Sequence, residues 1–412
     1  MNVLIIGTMY EPDLGPSAPL FTMLSKGLVK RGHHVTVITT VPHYPSGQVP
    51  TEFRGKLIWR SSEYGVEVIR IWVPSLNRKH LALRLVQFLC YQLGATIAGI
   101  GKKYDVVLAG NSALSVWLPF FWFVVLRKKP AIYSVYDVYP DIGVNLGIFR
   151  YKPVIMAVSS LERFCLTHAT IVHIISDSFR QGLSALGVPD SKMVLVDVWV
   201  DTELIRPLAK ENSFQLENTL NGQFVVLYAG NLGFSQGLEH ILTAAEILAD
   251  HKDIQFVFVG DGAGREYLQS QSRQQQLINV QFIPFQPREK LPEVLASADV
   301  SLVILRQDVG SASLPSKTFS IMASGRPILV SVDEDNETFN LINSTEAGLC
   351  VPPEDPSKLA EAILTLKNNK ALCERLGQNG RIWVEQHHSS QFAAEEFEKL
   401  LFEAISSYKI RQ

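Results

Sequence analysis

A serine-rich segment directly ahead of a helix is the part of this sequence best suited to bind an anion. Residues 310–316 read Gly-Ser-Ala-Ser-Leu-Pro-Ser and lead into Lys317. Proline suits the first turn of a helix, and a serine just before it can cap that turn. The free amides of the first turn, the helix dipole and Lys317 would together favour a phosphate group. The alternative is an ordinary capped helix with a solvated lysine.

Two glycine-rich turns in the same half of the chain follow predicted strands. The first spans residues 230–233 around Asn231, with Gln236 just beyond it, and the second spans residues 260–264 around Gly262. Glycine lets the backbone approach a ligand closely, so both turns are compatible with a phosphate site. Neither turn has the complete dinucleotide fingerprint, and an ordinary tight strand–helix turn is the alternative for each.

Polar residues also follow predicted strands in the first half. Gly15 lies in a proline-flanked loop after the first strand, and His43 follows the second. Asp137 and Asp141 come after a strand predicted at 131–135, beside two tyrosines, and could accept hydrogen bonds from hydroxyl groups or act in acid–base chemistry. A loop cap or an exposed charge is the alternative for either aspartate. Glu162, on an amphipathic helix, is interpreted as part of an ion pair or a solvated face.

The elements that must position these residues alternate between strands and helices, which is typical of mainly parallel, doubly wound sheets. Alternation lapses in a turn-rich stretch at 201–221 and then resumes. We therefore predict two α/β units, 1–205 and 222–383, with a C-terminal helix in 384–412 that returns to the first unit. Ligands of open parallel sheets bind beyond the carboxyl ends of the strands, so a cleft between two facing units is expected to hold the ligand.

Composition excludes some function classes. The chain has 412 residues and a net charge of −2, and broad nucleic-acid binding needs a concentrated positive field. The four cysteines are far apart, which favours reduced thiols in a cytosolic protein over a metal site. The N-terminal residues read as a buried strand rather than a signal peptide.

Two apolar segments, residues 81–100 and 114–126, are followed by basic residues. The second is shorter than the ~20 residues that a membrane-spanning helix needs. Buried helices are one interpretation. Contact with a membrane surface is the other, since basic residues at the ends of apolar helices favour anionic lipid.

Taken in order, several segments of the chain resemble the retaining GT-B glycosyltransferases of family 4. The segments that carry the resemblance are spread over nearly the whole sequence: 11–15, 28–37, 201–203, 228–233, 258–262, 298–300 and 322–327. Residues 42–47 and 236–239 look like the branch that builds lipid-linked surface polysaccharides.

The resemblance implies two Rossmann-like domains facing across a cleft and transfer of a sugar from a nucleotide-diphosphate sugar to a hydroxyl group, with retention. It implies no cofactor or metal, and a cytoplasmic location that extends to the inner face of the membrane. The acceptor would be a carbohydrate or a lipid-linked saccharide on the first domain, near His43 and Asp141. Catalysis is expected to involve Asp137, close to the transferred sugar, and Lys317. The donor contacts implied are Gly15, Asn231, Gln236, Gly262, Pro284, Phe285, Ser313, Leu314, Ser316 and Lys317.

Departures from the family pattern affect the donor site. Many members have two glutamates with seven residues between them, and those positions align with Ala312 and Ser320. The usual basic pair of the first glycine-rich turn is replaced by Asn231 and Gln236. Lys317, with Arg306, could restore positive charge there. A catalytically silent sugar-nucleotide-binding subunit and a sugar-nucleotide epimerase are the alternatives to a transferase.

Overall fold

The computed structural model describes residues 1–44, 46–76, 81–110, 112–145, 149, 151–307 and 315–410. The chain divides into two compact units. The first comprises Met1–Val198 together with Ser390–Gln412, and the second is Trp199–Ser389.

Strands and helices alternate through both units. The strands are β1 (Asn2–Ile6), β2 (His34–Thr40), β3 (Ile58–Glu63), β4 (Val66–Ile71), β5 (Val106–Gly110), β6 (Ala131–Val135), β7 (Ile171–Ile174), β8 (Met193–Leu195), β9 (Phe224–Ala229), β10 (Ile254–Val259), β11 (Val280–Ile283), β12 (Val300–Ile304), β13 (Ile328–Ser331) and β14 (Gly348–Val351). The helices are α1 (Ala18–Lys30), α2 (Leu81–Gly99), α3 (Ala113–Phe120), α4 (Asp141–Asn145), α5 (Lys152–His168), α6 (Phe179–Ala185), α7 (Ser213–Glu217), α8 (Glu239–Ile247), α9 (Arg265–Gln274), α10 (Leu291–Ala296), α11 (Lys317–Ala323), α12 (Glu337–Thr345), α13 (Pro356–Lys367), α14 (Lys370–His387) and α15 (Ser390–Ile410).

The first unit is built on a sheet with the strand order β3-β4-β2-β1-β5-β6-β7-β8. All of its neighbouring pairs are parallel except β3 with β4. Its central strands are apolar and buried along their length, as expected for a sheet covered by helices on both faces. Ile5 in β1 is paired with Val37 in β2 and Leu108 in β5, which aligns the carboxyl ends of these strands along one edge.

The second unit is built on a parallel sheet with the strand order β11-β10-β9-β12-β13-β14. Its core consists of apolar side chains from both faces, with Phe256 and Phe258 of β10 among the largest that are fully buried. The loops after β9, β10 and β11 emerge side by side, because these strands are neighbours in the sheet.

The helix at the C-terminus packs within the first unit. The close approach of α15 to α1 is made by small residues, since a Cβ on Gly27 would lie only 2.6 Å from the Cβ of Ala394. Glu398 then accepts a 2.7 Å hydrogen bond from His33 Nε2 and pairs with Arg31. Deeper in the unit, Phe397 meets the buried ring of His173, with 4.8 Å between the ring centroids.

The two apolar segments form helices. The first is α2, and the second is α3 followed by a π-helical turn at Phe121–Leu126. Phe120 and Phe123 of the second segment are buried, whereas Leu126 is 51% exposed. Within the described ranges, none of the helices combines the length and the apolar character needed to cross a membrane.

Candidate functional site

The two glycine-rich loops of the second unit pack backbone against backbone. A Cβ added to Gly260 would lie 2.0 Å from the carbonyl oxygen of Gly230, so no side chain fits there. Leu232 N donates a 2.8 Å hydrogen bond to Asp261 O, and Gly264 N donates one of 2.8 Å to Leu232 O. Glycine is therefore required by close approach between the loops, which holds the edge of the sheet in a fixed conformation.

Asn231, Gln236 and Gly262, three of the predicted donor contacts, lie together at this edge. A Cβ at Gly233 would lie 2.9 Å from Asn231 Nδ2 and 2.8 Å from Gln236 Oε1. A Cβ at Gly262 would lie 2.6 Å from Asn231 Oδ1. The Oε1 atom of Gln236 is buried and has no hydrogen-bond partner among the described residues. The loops thus place two amide side chains next to glycine backbone that carries no side chains.

Lys317, the first residue of α11, points its ammonium group into the same loops. Its Nζ lies 3.9 Å from the centroid of the Tyr228 ring, and Tyr228 donates a 3.0 Å hydrogen bond to Asn231 O. The residue is partly exposed, but Nζ itself is buried and has no hydrogen-bond partner in the described part of the chain. Burial lowers the pKa of Lys317 to about 7. A cation that has lost its water without gaining an anion is typical of a site that binds a negatively charged ligand.

The interpretation of Lys317 as a solvated lysine is wrong, because Nζ is enclosed. Ser316 precedes α11 and is exposed, and its side chain makes no capping hydrogen bond. Pro315 lies ahead of the helix, with its carbonyl oxygen accepting a 2.9 Å bond from Thr318 N. Ser313 and Leu314 lie outside the described residues, as does Ala312, whereas Ser320 is a partly buried residue within α11.

Arg306 is not available as a second free positive charge. Its guanidinium forms ion pairs with Glu239 and Glu354, and its Nε donates a 2.8 Å hydrogen bond to Phe234 O. Two carboxylates already balance this one cation. In the described structure Arg306 therefore has no free charge with which to supply one of the two missing positive charges.

Pro284 and Phe285 follow β11 and reach the same edge as the glycine-rich loops. Gly260 N donates a 3.1 Å hydrogen bond to Ile283 O, which places the end of β11 beside the second loop. The Phe285 ring is 74% exposed. An exposed aromatic ring at this position offers a flat apolar surface for another ring to stack on.

In the first unit, a buried carboxylate connects two loops that the sequence analysis treated separately. Asp13 is 3% exposed, and its Oδ1 accepts a 3.1 Å hydrogen bond from Gly15 N. Its Oδ2 accepts one of 3.1 Å from His43 N and lies 3.4 Å from His43 Nδ1. Sequence reasoning missed Asp13, although its position between Pro12 and Gly15 was a signal that it could hold the loop.

Asp137 and Asp141 lie at the same edge of this sheet but do not join His43. Asp137 follows β6, whereas His43 follows β2, and β1 and β5 lie between those strands. Neighbouring strands are about 4.8 Å apart, so the two positions are separated by roughly 14 Å. Asp137 reaches solvent, yet the surrounding protein removes enough water to raise the pKa of its carboxyl group. Asp141 is exposed at the start of α4.

Two family models match this chain. Residues 17–199 match a glycosyl transferase 4-like domain, and residues 209–383 match glycosyl transferases group 1. Together the two models span most of the chain, which belongs to the glycosyltransferases that they describe. The comparisons give no support to the alternative of a catalytically silent binding subunit.

Relatives and a solved structure agree with this assignment. The putative colanic acid biosynthesis glycosyl transferase WcaI of Escherichia coli K12 is 27% identical over 386 residues, covering 90% of this chain and 94% of WcaI. The probable glycosyltransferase WbjE of Pseudomonas aeruginosa is 25% identical, covering 82% of this chain and 84% of WbjE. The structure of Anabaena Alr3699/HepE in complex with UDP-glucose aligns with a TM-score of 0.65 at 14% identity, covering 98% of this chain and all (100%) of that one. The fold of the transferase is therefore GT-B.

Glu162 of the transferase differs from its sequence interpretation, because it is neither solvated nor ion-paired. The side chain is 1% exposed. It accepts a 2.8 Å hydrogen bond from Tyr133 and a 2.9 Å hydrogen bond from Ala113 N, in the first turn of α3. Burial raises the pKa of its carboxyl group to about 7. The amphipathic pattern of α5 could not reveal that this polar position turns inward.

We expect Glu162→Gln to flatten the pH dependence of stability. The folded state holds the Glu162 proton up to about pH 7, whereas the unfolded state releases it near the ordinary value of 4.5. The protonated Glu162 stabilises the folded state fully below pH 4.5, and this contribution is lost as the pH rises through 7. The free energy of unfolding should therefore fall by about 2 kcal/mol between pH 5 and pH 8. Urea unfolding at both pH values measures this difference in the wild type, in Glu162→Gln and in the exposed control Glu361→Gln. Parallel pH profiles for all three proteins would contradict the assignment.

No group of three or more His, Cys, Asp or Glu side chains in the described ranges is arranged so that it could hold a metal ion. The chemistry that these units offer instead is electrostatic. Fixed amides and one buried ammonium group lie at the edge of the second unit, and carboxylates and a histidine lie at the edge of the first.

Proposed function

We propose that the protein transfers a sugar from a nucleotide-diphosphate sugar to a hydroxyl group of a lipid-linked saccharide, with retention, in the synthesis of a surface polysaccharide or glycolipid. The observation that carries the proposal is the buried ammonium group of Lys317 beside two glycine-rich loops. HepE in complex with UDP-glucose supports a nucleotide-sugar donor, and the role of WcaI in colanic acid biosynthesis supports a polysaccharide product.

The donor diphosphate would lie against the loops after β9 and β10. Its negative charge favours the protonated form of Lys317, so binding takes up a proton at pH values above 7. Asn231 and Gln236 carry amide groups that donate hydrogen bonds without adding charge. Phe285 and Pro284 would face the nucleobase, and Ser313, Leu314 and Ser316 would complete the site from the segment ahead of α11.

Lys317 is also suited to the chemical step. Cleavage of the sugar–phosphate bond leaves additional negative charge on the departing diphosphate, and a preorganised cation stabilises that charge. The ammonium group is already desolvated, so its interaction with the leaving group is stronger than it would be in water. We propose that this electrostatic arrangement operates without a metal or another cofactor.

The acceptor would bind on the first unit, at the edge that carries Asp137, Asp141 and His43. Desolvation raises the pKa of Asp137, which makes its carboxylate a stronger base toward a sugar hydroxyl. The loop of His43 is held by Asp13, which also holds Gly15. A lipid-linked acceptor would bring the protein to the inner face of the membrane.

Asp137→Asn is expected to lower the transfer rate about tenfold and leave nucleotide binding unchanged. The expected loss is smaller than for an enclosed acid–base group, because the Asp137 side chain reaches solvent. Initial rates of transfer and nucleotide titrations on the same preparations give both quantities. Asp250→Asn, an exposed change in the second unit, is the control. Full activity in the Asp137 variant would remove this residue from the mechanism.

A thermal-shift screen in EDTA tests the proposed function. Purified protein is heated with UDP, GDP, ADP, TDP and their sugar conjugates, and a ligand that binds the folded state raises the melting temperature. We expect one nucleotide to stabilise the protein without added metal, and the matching sugar conjugate to serve as donor. If millimolar concentrations of every nucleotide leave the melting temperature unchanged, the donor site does not work as proposed.

A further inference from the structure

An apolar groove lies on the first unit, outside the residues assigned to the reaction. It has a volume of about 300 Å³, at the lower end of the range for ligand pockets. Its lining side chains are apolar and come from α2, α3 and α5 and from Phe149, which lies between α4 and α5; they include Leu85, Leu114, Phe149, Val154, Ala157 and Leu161. The size and lining suit a hydrocarbon chain rather than a sugar.

One end of the groove adjoins the edge proposed to bind the acceptor. Phe149 packs over α4, since a Cβ on Gly143 would lie 2.2 Å from its ring, and its ring centroid is 6.5 Å from that of Tyr139. Tyr139 and α4 belong to the segment that follows β6, which also contains Asp137. A chain in the groove would therefore direct a saccharide attached to its phosphate toward the acceptor-side carboxylates.

The groove continues into an exposed apolar stripe along α2. Leu89, Leu93 and Ile97 recur at the spacing of one helical face and are 55%, 48% and 64% exposed. A contiguous exposed apolar surface of this kind marks an interaction site.

The charges around the groove are suited to a phosphate head. Helices α2 and α3 contain no acidic residue, and the only one in α5, Glu162, is buried. Arg84, next to Leu85, has a buried Nε without a hydrogen-bond partner among the described residues, and its charge reaches Tyr139. Lys152, at the start of α5, is exposed. A phosphate near the groove meets positive charge and no exposed carboxylate on these helices.

We propose that this groove binds the first part of the hydrocarbon chain of the phospholipid-type carrier that bears the acceptor saccharide, with Arg84 and Lys152 facing its phosphate. The proposal deepens the proposed function and rests on it. The occupant proposed is a single phosphorylated hydrocarbon chain, and a bilayer surface without such a chain is the alternative occupant to be distinguished from it.

Farnesyl phosphate below its micelle concentration is the probe, titrated by calorimetry without membranes or nucleotide. Ala157→Trp fills the groove from an exposed position, and Met156→Trp adds the same ring one residue away, at an exposed position outside the lining. We expect saturable one-to-one binding by the wild type and Met156→Trp, and at least tenfold weaker binding by Ala157→Trp. Inorganic phosphate alone is expected to bind much more weakly than farnesyl phosphate.

Equal binding of farnesyl phosphate by Ala157→Trp and Met156→Trp would overturn the proposal, as would no saturable binding by the wild type. Loss of phosphatidylglycerol-vesicle binding by Ala157→Trp, with farnesyl phosphate binding intact, would also overturn it and assign the groove to the bilayer. The nucleotide screen keeps the two proposals separate. A wild type that binds nucleotide but not farnesyl phosphate refutes the groove alone, and the reverse refutes the donor site alone.

Discussion

Lys317→Met is expected to lower kcat/KM for transfer by about 100-fold to 1000-fold and at the same time to make the protein more stable. The activity loss is the usual cost of removing one preorganised group that stabilises developing negative charge. The gain in stability follows from the buried position of Nζ, which holds the pKa of Lys317 at about 7. A methionine of similar length fills the same space without a charge to desolvate.

The sign of the stability effect follows from proton binding. Between pH 7 and the ordinary lysine value of 10.5, the unfolded chain holds the Lys317 proton and the folded chain does not. Stability of the wild type therefore rises with pH across this window, and the variant lacks that rise. At pH 7 the free energy of unfolding of the variant should exceed that of the wild type by on the order of 2 to 4 kcal/mol. This range allows for the partial exposure of Lys317 and for the contact of Nζ with the Tyr228 ring.

Denaturant unfolding and transfer kinetics on the same preparations measure both effects. Lys370→Met is the matched control, because that side chain is 90% exposed and should change neither quantity. Lys317→Arg retains the charge and tests whether the position of the ammonium group matters. A Lys317→Met protein that is fully active, or that is less stable than the wild type, would contradict the role given to this residue.

Asp13→Ala is expected to destabilise the protein by about 2 to 4 kcal/mol and to reduce transfer about 100-fold. The buried carboxylate accepts hydrogen bonds from Gly15 N and His43 N, and alanine leaves both donors without their acceptor. Each unsatisfied buried donor costs about 1 to 3 kcal/mol. Activity should fall as well, because two loops at the acceptor edge lose their common anchor.

Urea unfolding gives the stability change, and initial rates give the activity change. Asp13→Asn, which keeps the shape and one acceptor oxygen, should lie between the wild type and alanine in both measurements. Asp190→Ala is the control, since that aspartate is 77% exposed in its surface ion pair. An Asp13→Ala protein with wild-type stability would show that these hydrogen bonds do not anchor the loops.

Strands that form apolar runs could be predicted from the sequence, and a polar edge strand could not. The strand predicted at 131–135 agrees with β6 of the structure, because a strand covered on both faces is a continuous apolar run. The prediction missed β3 and β14, which lie at sheet edges. β3 contains the polar run Arg60, Ser61 and Ser62 and pairs with β4 across a two-residue turn at Tyr64 and Gly65.

The C-terminal helix illustrates the same limit. One helix was predicted in 384–412, but the structure ends α14 at His387 and begins α15 at Ser390. Between them His388 stacks on Phe319 with 3.9 Å between ring centroids, and Val200 N donates a 2.8 Å hydrogen bond to His388 O. Both partners of His388 are far away in the chain, almost 70 residues for Phe319 and more for Val200. Local helical periodicity could therefore not show this break.

The sequence by itself determined the family, the two α/β units and the glycine-rich loops, because these depend on local patterns of apolar and small residues. The tertiary structure decided which polar groups carry a charge that the site can use. Lys317 is buried beside Tyr228, Arg306 is already neutralised by two glutamates, Asp13 joins Gly15 to His43, and Glu162 is enclosed beneath α3. The physical reason is that desolvation and pairing depend on neighbours that are distant in sequence, whereas glycine-rich turns and apolar periodicity can be recognised within a few consecutive residues.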